Sequence, residues 1–292
     1  MDIIEFVPVS DMAIRIAGTL TGEYHIAMEV SPDEYERLKQ EKDVTPEVIK
    51  PFRWTIFMIN HKSPLTSNKL IRQALQAALD MESIMQAAAG PPDLWRLDPG
   101  LMFREQPMWT DSGKEFYNQK NPAKAQQLLK QAGYRGEPVR VLTTQQYDYM
   151  YKGALAAKPQ WEAVGFTVDL QVVDWATLVE RRANPDLYEI FTTGIGFASV
   201  QDPTLMLFLS PDSVGWYDNP EMQSLLSQMR VETDPAKRYE QWKRVQYIFH
   251  EDVGHIKLGD MHNVRLRRNE VKGFVPAPDL WLWNVSLEGG TR

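Results

Sequence analysis

Between Pro122 and Thr193 the chain alternates helix-period with strand-period segments, an alternation that restricts it to an α/β fold built on parallel strands. The order predicts a helix from Pro122 to Ala132 closed by Gly133, a strand from Val139 to Thr144 and a helix from Tyr147 to Val164. A strand from Phe166 to Val173, a helix opened by Asp174 and a strand from Tyr188 to Thr193 follow.

The flanks are also mixed. Ile3 to Val7 reads as a strand, and Ser10 can cap a helix carrying Ala13, Ile14, Ala17 and Leu20 on one face until Gly22. Tyr24 to Val30 alternates with strand period, Ser31-Pro32-Asp33-Glu34 opens a short helix through Leu38, and Phe52 to Asn60 reads as a strand. Leu70, Ala74, Ala77 and Ala78 mark a close-packing helix, and Asp80 can cap a second one reaching Ala89. Residues 90–113 read as an ordered loop tethered by Trp95 and Trp109, since flexible linkers avoid tryptophan. Asn219-Pro220 and Asp234-Pro235 start two helices, reaching Val231 and His250, before strands near His255 to Leu258 and Asn263 to Arg267.

At 292 residues the chain exceeds the usual single core, so two lobes are expected. A net charge of -7 without a Lys/Arg tract lacks the electrostatic footprint of a nucleic-acid binder. No run approaches the roughly 18 apolar residues of a membrane helix, and the first residues, Met1 to Phe6, lack the basic and apolar regions of a signal peptide. The start reads as one cut into the middle of a domain. With no cysteine, disulfides and thiolate metal sites are excluded.

Enzymatic readings find little support. His250-Glu251-Asp252-Val253-Gly254-His255 resembles a zinc helix only superficially, because its histidines are five apart, about 140° around a helix, and Gly254 interrupts them. A metal-dependent hydrolase is a remote alternative. No nucleophile elbow, phosphate loop or dinucleotide fingerprint follows a strand, and no metal or cofactor is implied.

An ordered set of motifs is more informative. Arg15-Ile16-Ala17-Gly18-Thr19-Leu20-Thr21-Gly22-Glu23-Tyr24-His25, then Phe57-Met58-Ile59-Asn60, Ile71-Arg72-Gln73-Ala74-Leu75 and Ala78-Leu79-Asp80-Met81-Glu82, occur in sequence. Asn121-Pro122-Ala123-Lys124-Ala125 with Ala132-Gly133-Tyr134 follows, then Asp202-Pro203, Tyr217-Asp218-Asn219-Pro220, Thr233-Asp234-Pro235, Gln246 and Val271-Lys272-Gly273-Phe274. Together they resemble the family 5 extracellular solute-binding proteins, the peptide and nickel receptors of ABC importers, over essentially the whole chain.

The resemblance implies a two-lobed, periplasmic-binding-protein-like type II fold with an incomplete lobe I and a complete lobe II. Residues 1–60 would be the second portion of lobe I, 61–257 lobe II and 258–292 a return to lobe I. About 200 residues of the family's N-terminal part, more than a typical domain, would be missing. The implied function is capture of a small solute, without catalysis, for permease subunits. The full-length parent would be periplasmic, or extracellular and lipid-anchored. A truncated or cytosolic ligand-sensing fragment is the alternative.

Such receptors bind in a cleft whose lobe II wall comes from loops following its strands, so the resemblance points to residues 143–147 and 193–203. In dipeptide-binding relatives the first loop would carry an arginine for the ligand carboxylate and the second an aspartate for its amino group. Here those positions read Gln145 and Ser199. Burying a zwitterion without countercharges is costly, so the expected ligand is a neutral polar solute or a modified peptide or sugar. Gln145, Ser199 and Gln201 would hold it, with stacking on Tyr147, Phe197 or Trp216. Asp202 is expected to serve its own turn, and Arg72 to be scaffolding.

Overall fold

A computed structural model describes residues 3–9 and 11–288, and divides the chain into two compact units. The first comprises the described residues of Met1–Phe52, Ala89–Trp95 and Met261–Arg292; the second comprises Arg53–Ala88 and Arg96–Asp260.

In the first unit, helix α1 (Met12–Thr21) leads to strand β1 (Ile26–Val30), the short helix α2 (Tyr35–Leu38) and the opening half of strand β2 (Val44–Ile59). Asp11 caps α1 by accepting from the Ile14 amide at 3.0 Å; Ser10, the expected cap, lies outside the described residues. Gly22 closes α1 at φ 89°, a left-handed conformation suited to glycine, and its N–H reaches the Gly18 carbonyl. Strand β1 pairs antiparallel with the far end of a long later strand, Ile26 opposite Arg267 and Val30 opposite Val264. Ile16, Val30, Leu38, Val44, Leu94 and Leu266 form this unit's core.

The second unit contains α3 (Lys69–Ala77) and α4 (Met81–Ala89), apart from its last residue. After the two-residue strand β3 (Trp95–Arg96), whose Arg96 opens this part of the unit, a long loop leads to α5 (Pro122–Gln131). The alternating stretch then delivers β4 (Pro138–Thr143), α6 (Asp148–Ala163), β5 (Thr167–Val172), α7 (Trp175–Arg181) and β6 (Ile190–Ile195). Helices α8 (Pro220–Met229) and α9 (Pro235–Asp252) precede β7 (Ile256–Arg268). Asn121, Asn219 and Asp234 each cap their helix through the side chain with proline at its first turn, as the Asx-Pro pairs predict.

Strand β4 lies between β5 and β6 and is parallel to both, while β2 runs antiparallel to β6 on its other side. Trp54, Phe103, Phe191, Phe197, Trp242 and Phe249 fill the core around them. The chain closes with a small antiparallel pair in the first unit, β8 (Val271–Lys272) and β9 (Ser286–Leu287). Among the described residues no helix is long and apolar enough to cross a membrane.

Three expectations differ from what is observed. Residues 3–9 form no strand; Ile3 and Phe6 are 82% and 74% exposed, and an extended segment becomes a strand only by pairing its backbone groups. Strand β2 begins eight residues earlier than Phe52, at Val44, and runs through Pro46 and Pro51. The two strands expected after His255 are one, because Gly259 and Asp260 lie inside β7. A side chain at Gly259 would meet the Arg96 carbonyl at 2.8 Å, so this glycine serves a close approach between backbones.

Candidate functional site

The register of the parallel strands defines the site. Val141 and Leu142 lie opposite Ile190 and Phe191, which sets Thr143 level with Thr192, and their hydroxyls hydrogen-bond at 2.8 Å. The loops after β4, β5 and β6 therefore leave one edge of the sheet, the C-terminal edge at which α/β sheets hold ligands.

The loop after β4 carries Gln145, exposed, and Tyr147, half-buried. The Gln146 side-chain carbonyl accepts from the Trp175 amide at 2.8 Å, tying this loop to the start of α7. The Tyr147 ring stands edge-on to Trp175, centroids 5.1 Å apart, with Tyr149 at 6.1 Å on its other flank. Tyr149 in turn accepts a hydrogen bond from Arg53 Nη1 at 3.2 Å, and the guanidinium lies 5.4 Å from its ring centre. Three aromatic rings thus follow one another to a cation, with Trp175 and Tyr147 half-buried and Tyr149 buried behind them. A side chain at Gly194 would lie 2.7 Å from the Tyr149 hydroxyl and 2.8 Å from Arg53 Cδ, so glycine admits the crossing of that row over β6.

The loop after β6 carries Ser199 and Gln201, both exposed. Phe197, between them and the strand, is only 7% exposed. It stacks on Phe103 with centroids 4.7 Å apart and planes 11° from parallel, and meets Trp54 edge-on at 4.8 Å. Phe197 is thus a core wedge whose ring is engaged by two neighbours. Asp202 accepts from the Thr204 amide and hydroxyl, both at 2.9 Å, and pairs with Arg238 at 2.6 Å. Burial works to raise its pKa, but the Thr204 hydrogen bonds and Arg238 outweigh it and hold the carboxyl below its ordinary value. Asp202 caps its own turn, the role its sequence context indicated.

Trp216 stands elsewhere. The adjacent Gly215 carbonyl accepts from the His61 amide at 2.9 Å, just past Ile59, and Ile59 pairs with Ile190 at the start of β6. Strand β6 spans roughly 17 Å at 3.3 Å per residue, so Trp216 belongs to the opposite end of the sheet from Ser199. There Lys62 Nζ lies 4.7 Å from its ring centre. Gln145, Tyr147, Ser199 and Gln201 share one edge; Phe197 supports it from inside and Trp216 does not reach it. Trp175, Tyr149 and Arg53 are members of the edge that sequence reasoning passed over. Trp175 had a usable signal, since it follows the Asp174 cap directly after a parallel strand.

The histidines of the metal reading are held by backbone. His250 Nε2 is 2.7 Å from the Pro99 carbonyl, and His255 Nδ1 accepts from the Ile59 amide at 3.1 Å. Arg72 is buried and donates to the carbonyls of Thr66, Ser67, Asp252 and Val253, joining the C-terminus of α9 to the turn before α3.

Comparison with known proteins places the chain. The family profile described as "Bacterial extracellular solute-binding proteins, family 5 Middle" matches residues 1–216. A probable peptide ABC transporter periplasmic-binding protein, y4tO of Sinorhizobium fredii, is 23% identical over 288 residues, covering 94% of this chain and 54% of its own length. The chain therefore spans about half the length of the curated relatives it matches. The ABC transporter substrate-binding protein CtaP of Listeria monocytogenes superposes with a TM-score of 0.85 at 22% identity, over 95% of this chain and 58% of that one. AgaA from A.tumefacien R10, solved with agropinic acid, superposes with a TM-score of 0.82 at 19% identity, over 97% and 60% of the two chains. The fold is that of type II periplasmic binding proteins in partial form, and this chain belongs to the family 5 bacterial extracellular solute-binding proteins.

Proposed function

We propose that this chain is the ligand-gripping portion of an ABC-importer receptor whose ligand is not a simple zwitterionic dipeptide. The observation that supports this most is the pair Gln145 and Ser199, uncharged and exposed, on loops that leave the same edge of the parallel sheet. The second unit is read as lobe II and the first as part of lobe I, in a parent that is periplasmic or lipid-anchored outside the cell and delivers its solute to permease subunits. Gln145, Ser199 and Gln201 supply neutral hydrogen-bonding groups, and the Tyr147–Trp175 pair supplies a surface for a ring or an apolar face.

The test is calorimetry on the full-length receptor with three probes: the dipeptide Met-Leu, its uncharged conjugate acetyl-Met-Leu-amide, and a neutral disaccharide. Tighter binding of the conjugate or the sugar than of the free dipeptide supports the reading. Tight binding of Met-Leu alone overturns it.

A further inference from the structure

The loop after β6 is shaped by a residue some ninety positions before it. Gln106, 5% exposed, directs its side-chain amide at three carbonyls of that loop: Phe197 at 3.1 Å, Ala198 at 3.3 Å and Val200 at 2.6 Å. Its side-chain oxygen accepts from the Phe103 amide at 2.7 Å, so the whole group is engaged and its orientation set. Phe103, in the same turn, is the ring stacked on Phe197.

The segment that carries Gln106 is itself anchored. Gln246, inaccessible inside α9, accepts from the Leu101 amide at 2.8 Å and donates to the Thr110 and Ser112 carbonyls at 2.9 and 2.8 Å. Asp98, also inaccessible, accepts from the Gly100 amide at 2.7 Å and Trp109 Nε1 at 3.0 Å. Two buried glutamines thus connect α9 to residues 101–112, and residues 101–112 to the loop bearing Ser199 and Gln201.

We propose that Gln106 is the positioning residue of the ligand loop and, through it, a determinant of specificity; this rests on the reading of Ser199 and Gln201 as ligand-facing. After a carboxylate, a backbone carbonyl is the group best suited to receive a ligand's ammonium. Gln106 draws three of them inward, out of a ligand's reach. With serine at position 199, the loop has neither a carboxylate there nor those carbonyls to offer. It therefore suits ligand atoms that accept hydrogen bonds, such as amide, ether or hydroxyl oxygens.

Two variants test this. Gln106→Glu keeps the shape but replaces the donor by an acceptor facing three carbonyls; Gln106→Asn keeps the amide and withdraws it by one methylene. Hydrogen exchange followed by mass spectrometry on this chain reads the loop, with segments 122–131 and 241–250 as internal controls. Binding of acetyl-Met-Leu-amide and of Met-Leu by calorimetry reads specificity. Gln106→Glu is expected to speed exchange across 196–202 by about tenfold or more with the controls little changed, and to reduce the preference for the conjugate by a similar factor, with Gln106→Asn intermediate. Unchanged exchange at 196–202, or a rise matched in the controls, overturns the proposal; so does faster loop exchange with an unaltered preference. A wild-type chain that binds neither probe counts against the proposed ligand class, while the exchange result still decides whether Gln106 sets the loop.

Discussion

Lys257 and Asp260 lie 2.7 Å apart on β7 with both side chains at zero exposure, and Arg96 reaches the same carboxylate at 2.8 Å from the paired strand β3. Burial pushes the Asp260 carboxyl upward, and Lys257 and Arg96 pull it back. Removing the carboxylate would take away the ion-pair partner of the Lys257 ammonium and leave it the Gly100 carbonyl and the Trp54 ring. Asp260→Ala is expected to lower stability by about 3–5 kcal/mol, measured by urea unfolding. A loss below about 1 kcal/mol would show the pair to be dispensable.

Acid should weaken the fold through two neutral histidines. Burial lowers the pKa of His61 to about 4, helped by the neighbouring Arg72 cation, and burial does the same for His250, helped by the Lys257 cation and opposed by the Pro99 carbonyl. Both folded values lie below the ordinary 6.5, so the unfolded chain binds protons first as pH falls. Their contribution is intact above pH 6.5 and is lost as pH descends toward 4, by roughly 2 kcal/mol for each histidine at pH 5. Urea midpoints should fall between pH 7.5 and 5, and fall less steeply in His250→Gln. A flat profile would contradict this.

Phe197 and Tyr147 should separate folding from recognition. Phe197→Ala empties a space between Phe103 and Trp54 and is expected to cost about 3–5 kcal/mol. Tyr147→Ala removes a half-buried ring at the edge and should cost about 1 kcal/mol or less while weakening ligand binding. Comparable losses of stability in both variants would argue against Tyr147 as a recognition residue.

Gly194 should tolerate little. A methyl there meets the far ends of Tyr149 and Arg53, which can shift, so Gly194→Ala is expected to cost about 1 kcal/mol and Gly194→Val about 1–3 kcal/mol. Thermal melts would give the order. Equal melting temperatures for wild type and Gly194→Val would remove the close-approach argument.

Local chemistry made much of this fold legible. The Asx-Pro pairs at 121, 219 and 234 start helices because their side chains and fixed φ act within one turn. The apolar run of β4 survives because the strand is buried on both faces between its neighbours, and α6 keeps its period by burying Tyr149, Met150, Ala154, Ala157 and Trp161. What failed was non-local. Gly259-Asp260 reads as an interruption of β7 until the buried partners of Asp260 and the close backbone at Gly259 are seen.

The site was legible to the same depth. The family resemblance pointed to both loops, and nothing local in the sequence could tell that Phe197 is buried in the core while Ser199 is exposed. Trp216 was misplaced because an aromatic residue near a glycine reads alike at either end of a sheet. Gln106 was invisible, as its partners lie 91 to 94 residues away.

That separation bears on engineering. Swapping residues 196–201 between receptors as a cassette would transfer letters without their conformation, because the mould for the loop lies in a distant segment. A graft intended to change what such a receptor carries would have to move Phe103 and Gln106 with it.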